Sequence, residues 1–109
     1  MSDYVFYLDE IISSARQIEK LIEKVSEADF RGDERTVLGV ARALEAIGAS
    51  IKNIPLNVRK ENPDIEWRKW TAFSDLLAGD YPQLDTAMIW DVVKNKLPAL
   101  KAKAQKLLE

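Results

Sequence analysis

Hydrophobic residues recur at intervals of three and four along most of the chain, which is the spacing of one face of an α-helix. The longest such stripe contains seven positions: Tyr4, Leu8, Ile11, Ala15, Ile18, Ile22 and Val25. It predicts a first helix over residues 3–25. Further stripes predict helices over 34–53, 55–61 and 66–78 and a fifth that begins after Asp85. Pro98 is expected to kink or restart that last helix.

The remaining segments favour a purely helical fold. Residues 26–33 are predicted as a connection because Gly32-Asp33 is a turn signal. No run alternates apolar and polar residues for long enough to predict a strand. The chain has 109 residues, the length of one domain. We therefore predict an all-α, up-and-down bundle of four to five helices in a single domain, 1–109.

Composition excludes several kinds of catalysis. The chain has 16 basic and 18 acidic residues, so a strongly basic nucleic-acid binder is disfavoured. It contains no cysteine and no histidine. A thiolate nucleophile, a Ser-His-Asp triad, a histidine general base and an imidazole zinc site are therefore ruled out. We predict no cofactor and no metal site.

The first residues are acidic and interrupted by charge, unlike a secretory signal peptide. No apolar run reaches the ~18–20 residues that span a bilayer. A cytoplasmic protein without a membrane partner is expected.

The C-terminal residues 92–109 carry five lysines and one acidic residue. Such a run is explained by a solvated helix face, with a phosphate-contacting patch as the alternative.

Three segments resemble a known family. Residues 41–48, within the second predicted helix, read Ala-Arg-Ala-Leu-Glu-Ala-Ile-Gly. Pro63-Asp64-Ile65 is followed by Trp67-Arg68, and residues 90–98 carry Trp-Asp-Val-Val-x-Asn-x-Leu-Pro. Over about residues 4–108 the chain resembles the HepT-like branch of the HEPN superfamily. The resemblance implies a helical bundle that dimerises. It also implies a metal-independent ribonuclease toxin encoded beside a nucleotidyltransferase antitoxin.

The active-site motif of that family is arginine, four residues, histidine, one residue, tyrosine. The resemblance implies that the arginine stabilises phosphate, the histidine transfers protons and the tyrosine receives nucleotide from the antitoxin. The corresponding positions here are Ser74, Gly79 and Tyr81, so only the tyrosine matches. Cleavage through a 2′-hydroxyl needs a proton acceptor of near-neutral pKa and a cation on the phosphate. Neither Ser74 nor Gly79 supplies them.

Other residues remain candidates for binding. Arg42, Arg68 and Lys69 are possible RNA-facing cations, although RNA binding is doubtful without the motif. Asp75, Asp80 and Asp85 form a conceivable carboxylate cluster, but carboxylates repel phosphate unless a metal bridges them. An interface is predicted from large aromatic or aliphatic residues set among small ones. Its members are Trp70, Phe73, Leu77, Ala43, Ala46 and Ala49.

We therefore predict a HepT-like protein that lacks nuclease activity and acts through a protein partner or as a homodimer. The family resemblance names a nucleotidyltransferase antitoxin as that partner. One alternative is a natural or engineered protein-binding module that uses the face of Trp70, Phe73 and Leu77. A second alternative is a divergent ribonuclease toxin.

Overall fold

The computed structural model describes residues 4–79 and 84–109, and these residues form helices joined by short connections. The helices are α1 (Tyr4–Leu21), α2 (Glu27–Gly32), α3 (Glu34–Lys52), α4 (Leu56–Glu61), α5 (Trp67–Ala78), α6 (Thr86–Asn95) and α7 (Leu97–Leu108). The predicted all-α class is confirmed. The described residues contain seven helices rather than four to five.

One of the additional helices lies where the sequence predicted only a connection. α1 ends before Lys24, which adopts a left-handed conformation with φ of 61°. α2 follows, and its first turn is capped by Ser26, whose Oγ accepts the N–H of Asp29 at 3.1 Å. Phe30 in α2 is fully buried. The prediction for residues 26–33 was therefore wrong, because a single buried anchor and a cap suffice for one helical turn.

The other additional helix results from a break before Pro98. Lys96 ends α6 and also precedes the first residue of α7, and the proline lies in the first turn of α7. Proline is tolerated there because the N–H it lacks has no partner in a first helical turn. The predicted restart is confirmed. Asp85 caps α6 by accepting the N–H of Met88 at 3.0 Å, as its position suggested.

α3 is the central helix, since α1, α2 and α5 all pack against it. Its N-cap is Asp33, where a hydrogen bond from the Thr36 hydroxyl holds the pKa of the Asp33 carboxyl below its usual range. α7 packs on α1, and α6 packs on α7 and α2. The core at these contacts is aliphatic, with Ile11, Ile18, Leu44 and Ile47 fully or almost fully buried. α5 is held mainly by α3.

Within residues 4–79 and 84–109, no helix combines the length and the apolar character needed to cross a membrane.

Candidate functional site

α3 and α5 approach each other closely where Gly48 of α3 meets Ser74 of α5. A Cβ atom placed on Gly48 of α3 would lie 2.1 Å from the Cβ of Ser74 on α5 and 2.2 Å from its Oγ. The Ser74 hydroxyl donates a hydrogen bond to the carbonyl oxygen of Glu45 at 3.2 Å. The missing side chain of Gly48 therefore creates the space that Ser74 fills.

Ser74 is the residue at the motif's arginine position, and it is only 5% exposed. Its hydroxyl is satisfied by a backbone carbonyl inside the helix contact. A buried, uncharged and hydrogen-bonded side chain does not supply a cation for a phosphate. In this chain the position contributes to packing between α3 and α5.

Gly79, at the histidine position, ends α5. It is exposed and extended, with φ of −72° and ψ of 177°, and its N–H donates to the carbonyl of Leu76 at 3.3 Å. Without a side chain it has no group that accepts a proton. Tyr81, the one residue that matches the motif, lies outside the described residues, as does Asp80.

The other acidic candidates have separate partners. The carboxylate of Asp75 is 2.5 Å from Nζ of Lys52 on α3, and Asp85 caps α6. In the part of the chain that the structure describes, no three acidic residues are close enough together to hold a metal ion.

The cationic candidates lie on the surface. Arg42 pairs with Glu45 at 2.9 Å and Lys69 pairs with Glu66 at 2.7 Å, each within its own helix. Arg68 is exposed on α5. Exposed pairs of this kind contribute little to the stability of a fold, because water screens their charges. Two of the C-terminal lysines also form ion pairs: Lys101 with Glu19 and Lys103 with Asp64.

The six residues of the predicted interface occupy different environments. Trp70, Leu77 and Ala43 are buried within the domain, and Phe73 is half-buried. Ala46 and Ala49 are exposed on α3. Ser74 faces α3. Trp70 lies one turn before it on the same stripe of α5, and Phe73 lies about 100° round the helix from it. Trp70 and Phe73 both line a groove between α5 and α6.

A groove of about 260 Å³ separates α5 from α6, and sequence reasoning did not find it. We call it the α5–α6 groove; its lining residues are Glu66, Lys69, Trp70, Phe73, Met88, Val92 and Lys96. Glu66 sits at one end, where a hydrogen bond from Lys69 lowers the pKa of its carboxyl. The charges of Lys69, Lys96 and Lys103 lower that pKa further, and the pKa of Lys69 is raised in turn. The groove depends on how far apart two helices lie, which no local sequence pattern encodes.

A family model described as "Ribonuclease HepT-like" matches residues 11–107. The chain belongs to the HepT-like ribonuclease family. It is 37% identical over 101 residues to "Probable ribonuclease HepT" of Thermococcus cleftensis, covering 93% of this chain and 92% of the relative. No solved structure matches the chain.

Two further relatives carry similar names. "Gamma-glutamylcyclotransferase and putative RNase MJ0434" of Methanocaldococcus jannaschii is 33% identical over 98% of this chain, which spans only 48% of that larger protein. "Putative RNase TTE0752" of Caldanaerobacter subterraneus is 24% identical over 94% of this chain and 92% of its own length.

The segments that carried the HepT-like resemblance have structural roles here. Nε1 of Trp67 donates to the carbonyl oxygens of Asn62 and Arg59, at 3.0 and 3.1 Å, and so ties α5 to the end of α4. In the segment 90–98, the Trp90 ring centroid lies 5.1 Å from that of Phe30, and Nζ of Lys94 lies 5.3 Å from the Trp90 centroid. These tryptophans join neighbouring helices, so they identify the fold rather than the chemistry.

Proposed function

We propose that this HepT-like chain is catalytically inactive and acts by associating with protein. The observation that carries the proposal is the position of Ser74, which is buried in the α3–α5 contact and bonded to a backbone carbonyl. The family's arginine would place a phosphate-binding cation there. A serine held in this way has no charge to offer.

The missing proton acceptor supports the same conclusion. Gly79 has no side chain, and the whole sequence contains no histidine to replace one. The titratable side chains that remain are carboxylates, with an ordinary pKa near 4, and tyrosines, lysines and arginines, with ordinary pKa values of about 10 or higher. None of these accepts and returns a proton efficiently at neutral pH unless its pKa is strongly shifted. Asp75, the acidic residue beside Ser74, is exposed and paired with Lys52.

We predict that the purified chain does not cleave single-stranded RNA above a buffer blank, with or without a chelator. The comparator is the variant that carries both Ser74→Arg and Gly79→His, with its helical content checked by circular dichroism. RNA fragments separated on a denaturing gel give the rate. Cleavage by the unmodified chain at a rate comparable to that of the comparator, in proportion to the protein across chromatography fractions, would contradict the proposal.

The partner in this proposal is a nucleotidyltransferase antitoxin or a second copy of the chain, in a cytoplasmic toxin–antitoxin setting, as the family resemblance implies. The exposed side of α3 near the α3–α5 crossing is the surface we assign to the contact. Ala46 and Ala49 are exposed there. Alanines allow another helix to approach closely, since their short side chains keep the two backbones near each other.

We predict that Ala49→Arg weakens self-association or antitoxin binding by tenfold or more, because a long cation replaces a methyl group at the contact. Light scattering after size exclusion measures the homodimer, and calorimetry with a nucleotidyltransferase antitoxin of the kind that the family resemblance implies measures the complex. Ala102→Arg, at an exposed alanine of α7, is the matched control and should leave both unchanged. Equal effects of the two substitutions would show that this face of α3 is not the contact.

A further inference from the structure

The α5–α6 groove has an apolar floor that the described part of the chain leaves open. Trp70 and Phe73 form the wall on α5, and Met88 and Val92 form the wall on α6. Met88 is 40% exposed although it sits among these apolar side chains. A second cavity of about 170 Å³ continues from the same place and shares Glu66, Trp70 and Lys96 with the groove. A ligand that removes this apolar surface from water gains binding free energy from the hydrophobic effect.

The charges that line the groove gather at one end and carry a net positive charge. Lys69 and Lys96 supply two ammonium groups there, and Glu66 supplies one carboxylate. Nζ of Lys69 is 2.7 Å and Nζ of Lys96 is 3.9 Å from the oxygens of Glu66. Beyond this end, Lys103 lies against Asp64, so these two charges balance. The groove therefore presents an aromatic floor with one unbalanced cation at its rim.

The dimensions limit what can occupy this space. From Glu66 to Phe73 is seven residues of helix, a length of about 10 Å. A volume of about 260 Å³ is slightly below the range of about 300–1,000 Å³ that holds drug-sized ligands. A molecule of one or two rings fits these limits. A long polyanion would need cations spread along its backbone, whereas those of the groove sit at one end.

We propose that the α5–α6 groove binds a small aromatic anion. Its ring lies against Trp70, Phe73, Met88 and Val92. Its carboxylate, sulfonate or phosphate group lies at Lys69 and Lys96. This site lies on the flank of α5 next to the Ser74 contact, and none of its lining residues belongs to the association surface on α3. Its test is therefore separate from the tests of the proposed function.

The first test is a titration of the isotope-labelled chain with 1-naphthoate, followed by the backbone amide signals in NMR spectra. We expect saturable shifts confined to residues 66–73 and 88–96. 1-Naphthamide has the same ring without the charge, and it should bind about threefold to fivefold more weakly, which is the contribution of one exposed ion pair. Shifts spread over the whole domain, absence of saturation, or equal affinity for the two compounds would overturn the proposal.

Substitutions test the two halves of the site. Lys96→Gln should weaken naphthoate binding about threefold to fivefold, whereas Lys106→Gln, at an exposed lysine outside the groove, should have no effect. Glu66→Gln should strengthen binding, since it removes the carboxylate that competes for both lysines. Met88→Glu should abolish binding by placing a negative charge on the floor. If Lys96→Gln and Lys106→Gln behave alike, or if Glu66→Gln weakens binding, the assigned orientation is wrong.

A second copy of the chain is the competing occupant. Spectra of the free protein over a wide concentration range distinguish it from a small ligand. Signals from residues 66–73 and 88–96 that stay fixed on dilution support an open groove. Signals that move on dilution would show that another chain fills it and would overturn the small-anion assignment.

Discussion

Gly48→Ala is expected to lower the free energy of unfolding by about 3 kcal/mol, near the upper end of the cost of overpacking a core. The new Cβ would lie 2.1 Å from that of Ser74, so α3 and α5 would have to separate. The value of about 3 kcal/mol is a net change, because the higher helix propensity of alanine offsets about 1 kcal/mol of the steric cost. Urea unfolding followed by circular dichroism at 222 nm measures the change.

Two further variants show whether the crossing is the cause. Gly32→Ala is the control, because a Cβ there would meet no atom within 4 Å, and it should leave stability unchanged or slightly raised. Ser74→Gly, combined with Gly48→Ala, removes the atoms that the new methyl group would strike. The double variant should recover most of the stability that Gly48→Ala loses, so the effects of the two single changes should not add. Equal stabilities of the Gly48→Ala and Gly32→Ala proteins would contradict the assigned contact.

Phe30→Ala is expected to cost about 4 kcal/mol, the typical loss for a fully buried aromatic residue. Phe30 is 0% exposed, and its ring lies 5.1 Å from that of Trp90, so it fixes α2 against α6. Thermal and urea unfolding measure the loss, and the fluorescence of Trp90 should change with it.

Phe6→Ala is the matched control for this experiment. Phe6 is 61% exposed on α1, and an exposed substitution changes stability by about 0.5 kcal/mol or less. A loss of similar size in both variants would show that Phe30 is not the anchor of α2.

The long helices were predictable because each buries a wide stripe that repeats over several turns. Leu8, Ile11 and Ile18 of the first stripe are fully buried, as the spacing required. α2 was missed because a six-residue helix with one buried side chain has no measurable period. Its cap, Ser26 followed three residues later by Asp29, was the available signal.

The candidate site was harder to predict than the fold. The sequence located Ser74 and Gly79 in the family's frame, and that alignment needed only the order of residues. It did not indicate that Ser74 faces Gly48, 26 positions away, because contacts between helices depend on how they cross. For the same reason it did not indicate that Trp70 and Phe73, which were grouped with the alanines of α3, also line a groove beside α6.

The crossing of α3 and α5 also constrains how this sequence can drift over generations. The space between positions 48 and 74 holds the Cβ atom of only one of them, so the two residues cannot enlarge together. A larger residue at position 48 is therefore accepted only if Ser74 is replaced by glycine beforehand or at the same time. A variant with a longer side chain at position 74 must therefore keep glycine at position 48.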